Sequence, residues 1–382
     1  MTTLELTDER RDFVDSIRDF CRRECGTREQ RDQLTDHGET SHNQDLYKKM
    51  AELGWLGVAI AEEHGGTGGG AVDMVLLLDE LAYGRVPVGG IGTTFIVAGA
   101  YQRFGSDEQK EKMLSGIVEG NTEAIAMSEP EAGSDVGALS CRAERRDGTY
   151  VVNGQKTWIS NAREAAHILL VCRTERVEGK KHQGLTMLEV PQGAAGMEIN
   201  PIETMGGREV NDVFFDDCTL PAEALIGEEG RGWGQLMAGL NHERLIIAAQ
   251  ALGLARRAFD DALQFVSERE QFGQPVGRFQ AIRHRIADLA TEIECCRLLT
   301  YDVAARVDAN PGVSFAREAS MAKLKVTETA KRAALEGMQM MGGYGYATEY
   351  DMESYVRSAL VTTIFGGTNE IQRDIIGKTY GL

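Results

Sequence analysis

Leu245-Ile-Ile-Ala-Ala-Gln-Ala-Leu-Gly-Leu-Ala255 is apolar on nearly every side once wound into a helix. A helix that is hydrophobic all round has no face for water, so this one belongs inside a bundle of helices. It lies within a longer helical pattern from Gly232 to about Glu270. Two more long helices are predicted downstream, Phe279 to Asp308 and Ser314 to Met341, with one proline in each gap, Pro275 and Pro311. The segment 231–382 therefore reads as a helical bundle.

Toward the N-terminus the texture changes twice. Residues 121–230 are strand-like. Thr149-Tyr-Val-Val, Asn153-Gly154 and Gln155-Lys-Thr-Trp-Ile-Ser160 predict a hairpin with Asn-Gly as its two-residue turn. His167 to Cys172, Leu185 to Val190 and Asp212 to Phe215 predict further strands. Residues 1–120 are helical again. Phe13, Val14, Ile17, Phe20 and Cys21 recur at helical spacings behind an N-cap expected at Thr7. Leu46, Met50 and Leu53 do the same ahead of Gly54, which suits a left-handed C-cap. Gly65-Gly-Thr-Gly-Gly-Gly70 lacks both the Lys-Ser/Thr ending of a P-loop and the GxGxxG spacing, so it reads as a connector. The expected fold class is mostly α with a central β domain: an α-helical domain at 1–120, a β domain at 121–230 and the bundle at 231–382.

The 382 residues carry 41 Lys+Arg against 59 Asp+Glu, a formal net charge of −18. That balance argues against nucleic acid, whose binding needs a basic footprint. Hydrophobic content of 42% and charged content of 26% suit a folded globular chain rather than disorder. No apolar run approaches the roughly 20 residues that cross a bilayer. The start, Met1 to Arg10, has no basic region followed by an apolar core, so no signal peptide is expected. Seven cysteines without a CxxC pair suggest reduced thiols and a cytoplasmic setting. Cys21 and Cys25 share a helix face but lack partners for a metal, and none is expected.

Chemistry is sought first at Glu243. Its helical neighbours Gly239, Leu240, Ile246 and Ile247 form an apolar face, and desolvation there would raise the carboxyl pKa and make a better base. The alternative is an ordinary salt bridge. Ala126-Met-Ser-Glu-Pro-Glu-Ala-Gly-Ser-Asp-Val-Gly-Ala138 reads as a tight polar loop after a strand, with Ser128 and Ser134 as hydroxyl donors. Trp158 suits covering a planar cofactor, and equally suits core packing. Gln339-Met-Met-Gly-Gly-Tyr-Gly345 and Phe365-Gly-Gly-Thr-Asn-Glu-Ile-Gln372 put glycines before helix starts, where backbone N–H groups are free. Thr368 with Glu370 also serves as a simple N-cap.

Taken together these residues resemble the acyl-CoA dehydrogenase family of flavoenzymes, over essentially the whole chain and in the same helix–β–helix order. Met127 to Ala138 fits the family's first motif, Asn153 to Ser160 its flavin-covering hairpin, and Ser267-Glu-Arg-Glu-Gln-Phe-Gly273 its Arg-x-x-Phe-Gly element. The resemblance implies a β-barrel-like middle domain, a C-terminal four-helix bundle, FAD as cofactor and an acyl-CoA thioester as substrate. It implies removal of the α proton by a glutamate while the β hydrogen leaves as hydride, giving a trans-2-enoyl-CoA. Many relatives carry the base in the turn that here reads Phe365 to Thr368, where this chain has Gly366. Isovaleryl-CoA and long-chain types instead carry it on the long bundle helix in a Glu-Arg-Leu context, which Asn241-His-Glu-Arg-Leu245 matches. Glu243 is thus the expected base and the Gly366 amide the expected oxyanion donor.

By the same resemblance Ile125, Ala126, Met127, Ser128, Gly133, Ser134, Trp158, Ile159 and Ser160 line the FAD, with Thr368, Asn369 and Glu370 toward its adenine. Arg269, Phe272, Gln280, Gln339, Met340, Met341, Gly342 and Gly343 resemble residues that reach the FAD of a neighbouring subunit, which implies a homo-oligomer, tetramer or dimer, with shared sites. Ser134, Asn241, His242, Arg244 and Gly367 are candidates for the CoA ester, although Asn241 stands where relatives have aspartate. Electron-transferring flavoprotein is the implied acceptor. Ser354 and Ser358 replace a basic and an acidic residue of the second motif, a change expected to disturb helix pairing or an interface more than chemistry. Three alternatives differ from this reading. An oxidase-like relative would pass electrons to oxygen. A monooxygenase-like relative would not need Glu243. A non-catalytic partner subunit would be expected to have lost the base. The bare turn at Gly366 suggests a branched or bulky acyl chain.

Overall fold

The computed structural model describes residues 6–382, and for residues 240 and 241 the backbone alone. Six helices come first: α1 (Asp8–Cys25), α2 (Arg28–Leu34), α3 (Gln44–Glu52), α4 (Ala71–Tyr83), α5 (Ile91–Phe104) and α6 (Asp107–Val118). The strands are β1 (Glu123–Ala126), β2 (Arg142–Arg146), β3 (Thr149–Ser160), β4 (His167–Arg173), β5 (Leu185–Pro191), β6 (Met197–Thr204), β7 (Gly207–Pro221) and β8 (Leu225–Ile226). Helix α7 (Gly232–Glu268) leads to a small hairpin of β9 (Glu270–Gln271) and β10 (Gln274–Pro275). Then follow α8 (Gln280–Ala309), α9 (Ala316–Met341), α10 (Gly343–Tyr346), α11 (Met352–Thr362) and α12 (Asn369–Lys378). The architecture is mostly helical with a central β domain. Residues 6–34, 70–86 and 241–382 form one compact unit, and residues 35–69 and 87–240 form another.

In the helical unit, Thr7 caps α1 by accepting from the Arg10 N–H at 3.3 Å, and α1 turns Val14, Ile17, Phe20 and Cys21 inward. The stretch from Leu245 to Ala255 is buried apart from Gln250 and Leu254, as an all-apolar helix requires. Gly253 is what lets α7 approach α4. A Cβ there would come within 2.8 Å of the Tyr83 nitrogen and 2.9 Å of the Ala82 Cβ. Polar cross-links complete this core. Asp79 of α4 accepts from Arg256 of α7 at 2.7 Å and from the Tyr301 hydroxyl of α8 at 2.9 Å. The Asp308 carboxylate accepts from the Ala71 and Val72 N–H groups at 2.6 and 3.0 Å, satisfying the open start of α4. Ser354 joins a polar cluster of this unit. Its hydroxyl accepts from Arg85 at 2.8 Å beside Asp351, which Arg28, Arg31 and Arg85 already surround, so a basic residue there would crowd three arginines. Ser358 is exposed.

The second unit is built on an eight-stranded sheet in the order β6-β7-β3-β2-β4-β5-β8, with β1 pairing parallel to β4. Strand β4 shows why its sequence is a continuous apolar run. Ile168, Leu170 and Cys172 join one core cluster, while Leu169 and Val171 join another with Val97 and Tyr101 of α5 and Met113, Leu114 and Ile117 of α6. Both faces are covered, so alternation disappears. The hairpin expectation needs correcting. Asn153-Gly154 is not a turn: β3 runs through it, and the β3–β7 register slips between Val152 and Gly154. The turn is Asp147-Gly148, both at positive φ (47° and 82°), joining β2 to β3. Both dipeptides satisfy the same two-residue signal, and only pairing partners distinguish a turn from a bulge.

Candidate active site

Glu243 lies in the first turn of the helical unit's share of α7. It is half-buried, with Ile246 and Ile247 buried beside it. Burial pushes its carboxyl above the usual range, against the opposing pull of Arg244 and Lys323. Among the described residues no cation lies within ion-pair distance of Glu243, so the salt-bridge reading finds no partner. Arg244 is buried, and burial lowers its pKa.

The turn after α11 comes to the same place. Gly366 and Gly367 both hold positive φ, 62° and 79°, and a Cβ at Gly366 would lie 3.6 Å from Glu243 Oε1 while colliding with the Ile247 side chain. Glycine takes this left-handed backbone without strain, and a larger residue would require Ile247 to move. The carbonyls of the turn are held from behind. Gln372 Nε2 donates to Gly366 O at 3.1 Å and to Gly367 O at 2.8 Å. Lys323 Nζ donates to Gly367 O at 3.0 Å and to Asn369 Oδ1 at 2.9 Å. The Gly366 N–H, by contrast, has no acceptor among the described residues. Thr368 caps α12 through its hydroxyl, accepting from the Ile371 N–H at 3.3 Å, and Glu370 is exposed. Asn369 is buried and bonded to Thr327, so its side chain serves the fold.

A second group of predicted residues gathers elsewhere in the same unit. Phe272 sits at the tip of the β9–β10 hairpin at φ 54°, 94% exposed, with its ring 6.0 Å from Phe279. Arg269 stacks over Tyr344 at 5.3 Å, which ties it to the Gly342-Gly343 end of α9. Gln280, Gln339, Gly342 and Gly343 are exposed, whereas Met340 and Met341 are core. Lys323 and Gln339 are sixteen residues apart on α9, about 24 Å of helix at 1.5 Å per residue. No single side chain spans that gap, so this chain holds two separate clusters.

In the β-containing unit, Lys156 is fully buried and donates to Met127 O and Glu129 Oε1, both at 2.8 Å. Glu129 also accepts from the Ser140 and Cys141 N–H groups. Burial alone would push the Glu129 carboxyl up. Lys156 and these N–H groups outweigh it and hold it below the usual range. The loop is thereby clamped to β3, and the Thr157 N–H donates to Ser128 O at 2.9 Å. Next along, the β3–β7 register slips between Lys156 and Ile159. That bulge turns Trp158 outward at φ 61°, with 60% of its surface exposed. Core packing is excluded for this ring. Ala126 and Ile159 are core residues that can offer only backbone, while Ile125, Met127, Ser128 and Ser160 are half-buried and Gly133 and Ser134 exposed.

His242 is half-buried and Gly367 belongs to the turn, while the Asn241 side chain lies outside the described residues. Among the described residues, no three His, Cys, Asp or Glu side chains gather to hold a metal. Sequence reasoning missed Lys323, Gln372 and the Lys156–Glu129 pair. Lys323 carried a usable signal: its neighbours Ala319, Ala322, Val326, Thr327 and Ala330 are all small or apolar, so it occupies the wrong face for a solvated lysine.

Comparison with known proteins agrees over the full length. The acyl-CoA dehydrogenase N-terminal, middle and C-terminal domain families match residues 7–121, 124–218 and 230–381. The chain is 33% identical to the mitochondrial isovaleryl-CoA dehydrogenase of Solanum tuberosum, covering 99% of this chain and 92% of that one. It is 35% identical to an acyl-CoA dehydrogenase of Bacillus subtilis (strain 168), covering 98% of each. The crystal structure of acyl-CoA dehydrogenase from Geobacillus kaustophilus superposes with a TM-score of 0.93 at 34% identity, over 99% of this chain and 100% of that one. A chain from structural work on the electron-transferring flavoprotein of Acidaminococcus fermentans gives 0.90 at 33%, over 99% of each. With all three domain families matched along the chain, it belongs to the acyl-CoA dehydrogenase family of FAD-dependent oxidoreductases.

Proposed function

We propose that this chain removes one hydrogen each from the α and β carbons of an acyl-CoA thioester, giving a trans-2-enoyl-CoA, with Glu243 as the base. The observation that carries the reading is Glu243 beside the Gly366 turn, without an ion pair and on an apolar helix face. A carboxylate so placed takes the α proton and becomes the acid, while negative charge grows on the thioester oxygen. The unpartnered Gly366 N–H is the donor for that oxygen. Trp158, exposed and flat, with the Met127 and Ser128 backbone and the Ser128 and Ser160 hydroxyls near it in sequence and sheet, fits a planar cofactor such as FAD. When bound, FAD supplies the acceptor for the β hydrogen as hydride. Residues 1–120, 121–230 and 231–382 are the proposed domains.

The separation of Arg269, Phe272, Gln280 and the 339–343 turn from the Glu243 cluster supports their service to a neighbouring copy, in a homo-oligomer. Electron-transferring flavoprotein is the proposed acceptor, in line with the similar chain from structural work on the electron-transferring flavoprotein of Acidaminococcus fermentans. Six buried, unbridged cysteines suit a reducing compartment, and we propose the cytoplasm. Among the described residues no helix is long and apolar enough to cross a membrane. The bare Gly366 and the isovaleryl-CoA relative support a branched acyl chain. The test is an anaerobic titration of the yellow holoenzyme with acyl-CoAs of different length and branching, alongside Glu243→Gln. Bleaching of the wild type by branched thioesters, with a variant that keeps FAD and stays oxidised, is expected. Preference for straight short chains by kcat/KM would overturn the substrate class. A wild type that never bleaches would overturn the dehydrogenase reading.

A further inference from the structure

Lys323 is fully buried on α9, yet among the described residues no carboxylate lies within ion-pair distance of it. Its two acceptors, Gly367 O and Asn369 Oδ1, are neutral. Burying an ammonium is expensive, by several kcal/mol per ion even after relaxation. A neutral donor would hold these oxygens as well, and Gln372 already does so at Gly366 O and Gly367 O. The hydrogen bonds therefore account for a donor at 323 but not for its charge.

What the charge faces is the same turn that Glu243 faces. Glu243 Oε1 lies against Gly366, and Lys323 grips the next residue. We propose that Lys323 is a positioning residue for the proton-transfer site: it holds the Gly366–Gly367 turn with its N–H open, and its ammonium is the counter-charge to Glu243. This rests on Glu243 being the base. The charged groups around the pair are few. Arg244 is on Glu243's own helix, Lys323 on α9 and Glu370 on α12. Burial lowers the Lys323 pKa to about 8, with Glu243 and Glu370 pulling it up and Arg244 pushing it down, so at neutral pH the ammonium keeps its charge.

A buried cation near a carboxylate favours its ionised form. In the wild type it keeps Glu243 ready as a base at a pH where burial alone would leave more of it protonated. The test is the acid limb of kcat/KM against pH, measured on FAD-loaded protein for the wild type, Lys323→Gln, Lys323→Met and Lys323→Arg. A difference-infrared titration of the Glu243 carboxyl band runs beside it without substrate, assigned by its loss in Glu243→Gln. The Gln and Met variants should shift both midpoints upward by about one pH unit, while Arg leaves them near the wild type. Gln preserves a hydrogen-bond donor, so a purely structural clamp would leave its midpoints unmoved, and that result overturns the proposal. So does an upward shift in the charge-keeping Arg variant of the same size as in Met. If Glu243→Gln turns over normally, the base reading itself falls, which is a different outcome from an inert Glu243→Gln with unmoved Lys323 midpoints.

Discussion

Lys156 in the β domain and Lys323 in the helical bundle are both fully buried, and both hold a loop of the proposed site. Lys156 sits 2.8 Å from the Glu129 carboxylate, which two backbone N–H groups also satisfy, so charge meets charge within one closed network. Lys323 meets only neutral oxygens and is left with a depressed pKa. A completed pair is a structural fastener. An incomplete one stores an electrostatic bias that a neighbouring group can feel, and at Lys323 that neighbour is Glu243.

The sharpest way to break this contrast is at Glu243 itself. Replacing it by Gln should lower kcat by roughly 10³-fold with FAD content unchanged, as expected when a general base is removed. Normal turnover would leave Lys323 with nothing to bias. Next comes Lys156→Met, which strands the Glu129 carboxylate in the core. It should lose about 3–5 kcal/mol in denaturant unfolding and loosen the loop that carries Ser128. A loss no larger than that of Lys323→Met would erase the distinction between fastener and bias.

The third effect separates the lysines by pH. The folded-state pKa of Lys323 lies near 8, below its ordinary 10.5, so between those values the unfolded chain holds the extra proton and stability rises with pH. Relative to Lys323→Met, the wild type should gain up to about 3 kcal/mol between pH 7.5 and 10.5. Glu129 runs the opposite way. Its pKa is depressed, so its contribution is complete above the usual carboxylate range and fades as pH falls through the folded value. Paired pH–stability curves of the two lysine variants check both signs. The smallest effect is Trp158→Gly. It removes a left-handed tryptophan and should leave stability unchanged or raise it by about 1 kcal/mol, while FAD retention in gel filtration drops.

Much of the fold was legible because burial is written in periodicity. The all-apolar run from Leu245 to Ala255 predicts a helix buried on all sides, and the strands at 167–173 and 185–191 lie where their apolar runs predict. The candidate base was legible as well, because Glu243 interrupts an apolar face of its own helix. Asn153-Gly154 was misread, since a two-residue turn and a bulge share the same residues and differ only in what pairs opposite. Lys323 was overlooked for a related reason. A lysine in a long helix is normally solvated, and only its small, apolar neighbours hint that it is not.

The local patterns thus determined the order of elements, the strands β4 and β5 and the candidate at Glu243, because each depends on neighbours within a few residues. Tertiary structure alone decided that Gly366 meets Glu243, that Lys323 grips the following carbonyl and that Lys156 finds Glu129. These contacts join residues 27 to 123 positions apart, Lys156 with Glu129 and Gly366 with Glu243 being the two ends of that range. Charge and hydrogen bonding act through space, and the distance along the chain carries no record of them.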